Sequence, residues 1–283
     1  MNALTTSIEG VWPSATAVAM PKNRVAEYYD AIAMDYDSLY GDVFSQVENS
    51  IIADRLSEIV QSGDRILDLG CGTGLGRSLL GQGVQGLHYN GLDLSERMIA
   101  CARQKHRNVS DSSFLIGDMT DLSMYPEDSF DCVISLFGSF SHVPNPTEAG
   151  KEMWRVCAPG GRILIMTYSR FSMRNLFDFQ RTLSSGGVPS VGEYSIRNSG
   201  GQEISSPAHF YTPSRVKSVF EDFDEVSVSG LNAVFELNSA KVSARALKLG
   251  FASVKRTMLF EQVLLSRLPG LAHSLVVQGV KTC

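Results

Sequence analysis

The chain has 283 residues, of which 43% are hydrophobic and 19% are charged, and its formal net charge is −5. This length and composition predict one large α/β domain with insertions, or one domain with a small lid. Because nucleic-acid binding requires a basic face and no run rich in lysine or arginine is present, we expect no nucleic-acid partner.

The cysteines and the N-terminus exclude further classes. The five cysteines are an odd number without C-x-x-C spacing. We therefore expect neither a disulfide framework nor a metal site. The N-terminus carries Glu9 early and has neither a basic region nor a long apolar run, so we expect no signal peptide, no membrane partner and a cytoplasmic location.

The first residues differ in pattern from those that follow. Residues 1–22 mix threonine, serine, alanine and two prolines without periodicity, which predicts a mobile arm. A helical pattern rich in tyrosine begins at Asn23 and extends to about residue 45. Apolar residues at helical spacing then predict a second helix over 48–61.

The central stretch of the chain is a strand followed by closely spaced glycines. An apolar run over 66–69, interrupted only by Asp68, predicts a buried strand, and glycines follow at every second position of 70–76. A glycine turn between a strand and a helix allows close approach of a ligand to the backbone. The dinucleotide fingerprint G-x-G-x-x-G fails here, because Leu75 and Arg77 occupy the positions of its last glycine.

Two acidic residues end the next two predicted strands. Asp93 closes the run 87–94, nineteen residues after Gly74, and Ser95 already provides the cap of the following helix. A carboxylate at this position is suited to accept hydrogen bonds from both hydroxyls of an adenosine ribose. The third run, 114–119, ends in Gly-Asp-Met, which places Asp118 at the same edge of the sheet.

Taken together, the D-x-G-x-G-x-G stretch and the acidic strand ends resemble the class I S-adenosylmethionine (SAM)-dependent methyltransferases. The resemblance covers 24–168 well and 207–281 loosely, and 130–166 is similar to glycine N-methyltransferase-like and other small-molecule enzymes. It implies a doubly wound, seven-stranded, mostly parallel sheet of Rossmann-like type with lid insertions. The implied methyltransferase domain spans 23–283, with a lid helix at 23–45 and substrate-side insertions at 170–210 and 239–268.

The resemblance also implies a cofactor site. Asp93 would hold the ribose, Asp118 would accept from the adenine amino group, and Met119 would pack on the adenine ring. Tyr29 and Tyr36 would lie at the methionine end. The full set of expected cofactor residues is Tyr29, Tyr36, Asp68, Gly70, Cys71, Gly72, Gly74, Asp93, Leu94, Met98, Asp118, Met119 and Leu136.

The acceptor side is expected around the loop after the fourth strand. The expected substrate residues are Tyr40, Ser139, Phe140, His142 and Tyr168. His142 is the candidate general base, and its ordinary pKa near 6.5 predicts activity that rises with pH through that value. The alternatives for His142 are substrate binding and a bond that ties the loop to the backbone. A base is needed only for a neutral hydroxyl, phenol, thiol or acidic carbon.

The function implied is SAM-dependent transfer of a methyl group to an N, O or C atom of a small molecule by in-line displacement. One alternative is a SAM-binding protein that transfers no methyl group, such as a regulator or a cyclase with this fold. A nicotinamide dehydrogenase is disfavoured by the missing fingerprint. The sequence leaves both a monomer and a homodimer open.

Overall fold

The computed structural model describes residues 20–81, 84–173, 175, 190–197, 203–233, 250–264 and 266–282. Its strands are β1 (Arg65–Leu69), β2 (His88–Asp93), β3 (Ser112–Ile116), β4 (Phe130–Ser135), β5 (Cys157–Ser169), β6 (Val191–Arg197), β7 (Glu203–Tyr211), β8 (Asp224–Leu231) and β9 (Ser274–Val280). Its α-helices are α1 (Lys22–Ile32), α2 (Tyr36–Leu39), α3 (Val43–Ile59), α4 (Leu75–Leu80), α5 (Glu96–Lys105), α6 (Pro146–Val156), α7 (Pro213–Val219) and α8 (Gly250–Leu264). Short 3₁₀ helices cover Ser139–His142 and Pro269–Leu271.

The central sheet has the expected doubly wound order. Strands β3, β2, β1, β4 and β5 are parallel neighbours, and β9 pairs antiparallel with both β5 and β8. These seven strands confirm the predicted sheet. The carboxyl ends of β1 to β4 therefore lie along one edge, where doubly wound sheets bind their ligands.

Helices cover both faces of the sheet. One apolar cluster packs α3, α4, α5 and α8 on one face, and a second packs α6 and α7 on the other. The strands are buried on both sides, which explains why β1 and β4 read as nearly continuous apolar runs. In the described ranges, no helix is both long and apolar enough to cross a membrane.

The N-terminal segment is divided more finely than predicted. The expected helix over 23–45 forms α1, α2 and the beginning of α3, which starts at Val43 rather than at residue 48. Asp42 caps α3 by accepting from the backbone N–H groups of Phe44 and Ser45. Lys22, expected in the mobile arm, is the first residue of α1, and the arm over 1–19 lies outside the described residues.

A β-hairpin follows the fifth strand of the sheet. Strands β6 and β7 pair antiparallel from Val191 opposite His209 to Arg197 opposite Glu203. The end of β7 then joins the main sheet beside β5, with Tyr168 opposite Phe210. The hairpin thus stands at the carboxyl edge of the sheet, within the predicted insertion 170–210. Of the second insertion, residues 239–249 lie outside the described residues and 250–264 form α8.

Candidate active site

A cavity with about 600 Å³ of empty space, part of it open to solvent, lies at the carboxyl edge of β1 to β4. Eleven of the sequence-predicted residues line it: Tyr29, Tyr36, Gly70, Gly72, Asp93, Leu94, Met98, Asp118, Met119, Ser139 and His142. Five residues that the sequence did not indicate complete the described lining: Val25, Leu92, Gly117, Val143 and Pro144.

The glycine loop forms the floor of the cavity. Gly70 and Gly72 have φ angles of +72° and +53°, which favour glycine. A Cβ at Gly70 would lie 2.5 Å from the Cβ of Ser139, so a side chain there cannot be accommodated without movement. Around Gly72, by contrast, a Cβ would meet no atom within 4 Å. The loop therefore presents bare backbone to the cavity at Gly72.

Asp93 joins this loop to the end of β2. One carboxylate oxygen accepts from the backbone N–H of Gly72 at 2.8 Å, and the other accepts from the N–H of Ser95 at 2.9 Å. Burial raises the pKa of Asp93, and the backbone hydrogen bonds oppose that shift. Each carboxylate oxygen retains a lone pair, so the side chain can accept from two ribose hydroxyls while it holds the loop.

Asp118 occupies the third strand end and is engaged by the N-terminal helix. It accepts from the backbone N–H of Thr120 at 2.8 Å and forms an ion pair with Lys22 at the start of α1. Lys22 also donates to the Thr120 hydroxyl at 3.2 Å. The expected adenine-binding carboxylate is thus tied to the segment that covers the cavity.

Three further contacts fasten this covering segment beside the loops that line the cavity. Asp30 of α1 accepts from the Ser95 hydroxyl at 2.5 Å, two residues after Asp93. Asp37 of α2 accepts from the hydroxyl of Thr73, in the glycine loop, at 2.6 Å. A lysine of α5, Lys105, pairs with Asp37 at 2.5 Å. Each attachment lies next to a residue that lines the cavity.

Several expected cofactor residues do not line the cavity. Asp68 is buried behind the loop, where it accepts from the Tyr89 hydroxyl, and burial raises its pKa to about 7. The Gly74 carbonyl accepts from His106 Nε2 at 2.9 Å, assigning that nitrogen the proton. Cys71 and Leu136 are buried in the apolar core. None of these four residues is part of the described cavity lining.

His142 lies at the end of the cavity and is nearly fully buried. Its Nδ1 is 2.9 Å from the backbone carbonyl oxygen of Pro207 and 3.2 Å from the hydroxyl oxygen of Ser206. Since a carbonyl can only accept, Nδ1 carries the proton, and Nε2 keeps a lone pair that lies 3.5 Å from the Tyr168 hydroxyl oxygen. Burial lowers the pKa of His142 to about 4, so the ring is neutral at physiological pH. If His142 must be neutral for activity, the activity should therefore rise with pH near pH 4, and not near pH 6.5 as the sequence predicted.

Four tyrosine rings surround the His142 imidazole. Their centroids lie at 6.4 Å (Tyr28), 5.5 Å (Tyr29), 5.7 Å (Tyr168) and 6.0 Å (Tyr194). Tyr28 and Tyr194 were not predicted. Tyr194 lies on β6, and no pattern in the sequence around it indicates that the β6–β7 hairpin folds over His142.

The predicted substrate residues divide into three groups. Ser139 and His142 line the cavity. Tyr40 and Tyr168 stand outside that lining, with the Tyr40 ring 5.0 Å from Tyr36. Phe140 is fully buried among residues of the opposite sheet face, 5.2 Å from the Phe220 ring. Its expected contact with the substrate is therefore replaced by a core contact, because the 3₁₀ turn directs it away from Ser139 and His142.

Comparisons with known proteins agree with this geometry. A family model described as a methyltransferase domain matches residues 67–165. A demethylmenaquinone methyltransferase of Shouchella clausii is 30% identical over 182 residues, which are 61% of this chain and 77% of that protein. A phosphatidylethanolamine N-methyltransferase of Cereibacter sphaeroides is 31% identical over 144 residues, 49% of this chain and 68% of that protein. An uncharacterized protein of Methanocaldococcus jannaschii, MJ1252, is 29% identical over 227 residues, 75% of this chain and 80% of its own.

Solved structures show the same fold at lower identity. The (4+2)-cyclase SpnF superposes with a TM-score of 0.62 at 16% identity, over 95% of this chain and 99% of that one. Phosphoethanolamine N-methyltransferase 2 of Haemonchus contortus, in complex with SAM, has a TM-score of 0.61 at 16% identity. That match covers 96% of this chain and 62% of the other. The sheet order, the family model and the curated relatives lead to one conclusion: the chain belongs to the class I SAM-dependent methyltransferases and is an enzyme that uses SAM.

Proposed function

We propose that this enzyme transfers the SAM methyl group to an N, O or C atom of a small molecule bound beside His142. The observation that supports a small acceptor is the cover that the N-terminal helices place over the cavity. Helix α1 contributes Val25 and Tyr29 to its wall, and α1 and α2 are fastened to the loops around it. A macromolecular acceptor would need an open groove at this edge of the sheet.

The cavity residues fit the cofactor in three parts. Asp93 would bind the ribose through both carboxylate oxygens, and Asp118 with Met119 would bind the adenine. Tyr29 and Tyr36 would face the methionine end, where their ring faces favour a neighbouring cation such as the sulfonium. The glycine loop supports this assignment, since Gly72 leaves open backbone where a side chain would fill the space.

The protein's part in the reaction is mainly positioning. The positive sulfur of SAM makes its methyl group electrophilic without help from the protein. The enzyme has to hold the acceptor atom in line with the S–CH₃ bond and to exclude water. Positioning of this kind supplies about 7–11 kcal/mol of barrier reduction.

We assign His142 the role of proton acceptor for an acceptor that must lose a proton. Its neutral state and its unprotonated Nε2, which has only a long contact to the Tyr168 hydroxyl, support this role. An imidazole with so low a pKa is a weak base, so proton transfer has to accompany methyl transfer rather than precede it. Acceptors that carry no removable proton would not use this group.

The proposal is tested by incubating the full chain with SAM and a panel of amines, phenols and activated carbon acids. We expect S-adenosylhomocysteine to form only with particular acceptors, together with a product that has gained one methyl group. Tight SAM binding without S-adenosylhomocysteine from any acceptor would contradict methyl transfer to a small molecule. That result would favour a SAM-binding role without methyl transfer.

A further inference from the structure

Helix α1 presents neighbouring stripes of side chains to different parts of the site. Residues four or eight positions apart lie on the same side of a helix. Val25 and Tyr29 form the stripe that lines the cavity. On one side of this stripe, Lys22 pairs with the carboxylate after β3, and Asp30 accepts from the Ser95 hydroxyl after β2. One long side of α1 is therefore fastened to the strand ends of the cofactor half of the site.

The opposite side of α1 is fastened to the β6–β7 hairpin. The Arg24 guanidinium donates to both carboxylate oxygens of Glu193 in β6, at 3.2 Å and 3.1 Å. This two-bond arrangement is the strong form of an arginine–carboxylate pair. One turn later, Tyr28 is buried in the same apolar cluster as Tyr194 of β6 and Phe210 of β7. Among the residues that the structure describes, Arg24–Glu193 is the only ion pair between α1 and the hairpin.

This pair stands beside the cavity and not within it. Neither Arg24 nor Glu193 belongs to the described lining, whereas Val25, the next residue of α1, does. The side chains are 41% and 16% exposed, so the pair is partly shielded from water. The seven-stranded sheet is complete without the hairpin, and the pair is not needed to hold that sheet together. What the pair does is keep α1 down on the cavity from the hairpin side.

We propose that Arg24 and Glu193 are positioning residues that retain the cofactor by closing the hairpin side of α1. Cofactor exchange requires α1 to lift, because this helix covers the cavity. With the Lys22 side held, release of the Glu193 side allows that movement. The hairpin therefore sets how long SAM stays bound, although none of its described residues lines the cavity. This inference goes beyond methyl transfer itself and rests on the proposed placement of SAM in the cavity.

The first test measures how fast the cofactor leaves, and it needs no methyl acceptor. Release of S-adenosylhomocysteine from the immobilised full chain is followed by surface plasmon resonance. Glu193→Gln keeps the size of the side chain and removes its charge, so we expect about 2- to 5-fold faster release, as for other partly exposed ion pairs. Thermal unfolding without ligand shows that the variant is folded. An unchanged release rate in folded Glu193→Gln would overturn the inference.

Exchange of the two charges separates the ion pair from other effects of substitution. Arg24→Glu alone places two carboxylates together and should speed release at least as much as Glu193→Gln. The double variant Arg24→Glu/Glu193→Arg restores an attractive pair, so it should release S-adenosylhomocysteine more slowly than Arg24→Glu. Release from the double variant that is as fast as from Arg24→Glu would count decisively against the pair.

Asp131→Asn is the matched control. Asp131 also accepts two hydrogen bonds from one guanidinium, that of Arg65, at 2.9 Å each. This pair lies at the amino end of β1, on the edge of the sheet opposite the cavity. We expect wild-type release from Asp131→Asn. Equal acceleration by Asp131→Asn and Glu193→Gln would overturn the inference, since the loss of any such pair would then suffice.

The second test follows α1 itself, without cofactor. Hydrogen exchange of the α1 and β1 amides is measured by mass spectrometry at constant pH. We expect faster exchange of α1 in Glu193→Gln than in the wild type, with no change in β1. Unchanged exchange of α1 would overturn the inference. Unchanged cofactor release from Glu193→Gln beside weaker binding by Asp93→Ala would overturn it too, but would leave the proposed placement of SAM intact.

Discussion

Replacement of Asp93 by alanine is the perturbation for which the structure gives the clearest magnitude. The carboxylate accepts from Gly72 N at 2.8 Å and Ser95 N at 2.9 Å, and we propose that it also accepts from the ribose hydroxyls. Hydrogen bonds to charged groups contribute about 1.5–3 kcal/mol. Loss of the ribose bonds alone should therefore raise the Kd for SAM roughly 10- to 150-fold. Because the Gly72 N–H also loses its acceptor in this variant, we expect the increase in Kd to lie in the upper part of that range.

The assay is calorimetric titration of SAM and S-adenosylhomocysteine into the purified variant, with thermal unfolding measured without ligand. Asp93→Asn is a useful second variant. Its side-chain NH₂ group replaces one carboxylate oxygen, so a donor then faces one of the two backbone N–H donors and that hydrogen bond is lost. We expect it to weaken binding as well. Asp121→Ala is the control, since this exposed carboxylate does not line the cavity. An unchanged Kd for a folded Asp93→Ala would refute the assignment of Asp93 to the ribose.

Three further outcomes are expected. Gly70→Ala places a methyl group against Ser139 at a position whose backbone is in the left-handed region. We expect it to lower the free energy of unfolding by about 1–3 kcal/mol in denaturant titration. An unchanged unfolding midpoint would contradict the tight packing of the loop. Deletion of residues 1–40 removes α1 and α2 with their attachments, and it should leave a folded core that binds SAM poorly; full activity of the truncated chain would show that the segment is not a lid. The folded pKa of His142 is about 4, below the unfolded value near 6.5, so its contribution to stability is complete above pH 6.5 and is lost as the pH falls towards 4. As the pH falls from 7 to 5, the free energy of unfolding should therefore decrease less steeply in His142→Gln than in the wild type. Equal pH dependence in the two proteins would contradict the lowered pKa of His142. His88→Gln is the control, because His88 is exposed.

The cofactor half of the site could be predicted because its signals are local in sequence. Asp93 is the last residue of β2 and Asp118 lies two residues after the end of β3, so their placement at one sheet edge follows from strand order alone. The left-handed turns of Gly70 and Gly72 follow from the same stretch. Parallel strands bring these separate ends together without further information.

The acceptor half depends on contacts between distant parts of the chain. His142 receives its orientation from Ser206 and Pro207, more than sixty residues later, and no pattern near His142 indicates this. Phe140 shows a second limit. Its neighbours Ser139 and His142 face the cavity, but the 3₁₀ turn directs Phe140 into the core, and the side-chain directions in such a turn cannot be read from residue type.

The Lys22–Asp118 ion pair is a third contact of this kind. A lysine ahead of a predicted helix has no local reason to meet a carboxylate at the end of the third strand. The pair forms because α1 lies across the cavity that Asp118 lines. The sequence predicted a covering segment, but the attachments that hold it required the structure.

The central claim is tested most directly by a crystal structure of the full chain with S-adenosylhomocysteine. We expect both ribose hydroxyls to bind the carboxylate of Asp93, the adenine amino group to bind Asp118, and the sulfur to face Tyr29 and His142. A ligand bound elsewhere, or a ribose that does not touch Asp93, would contradict it.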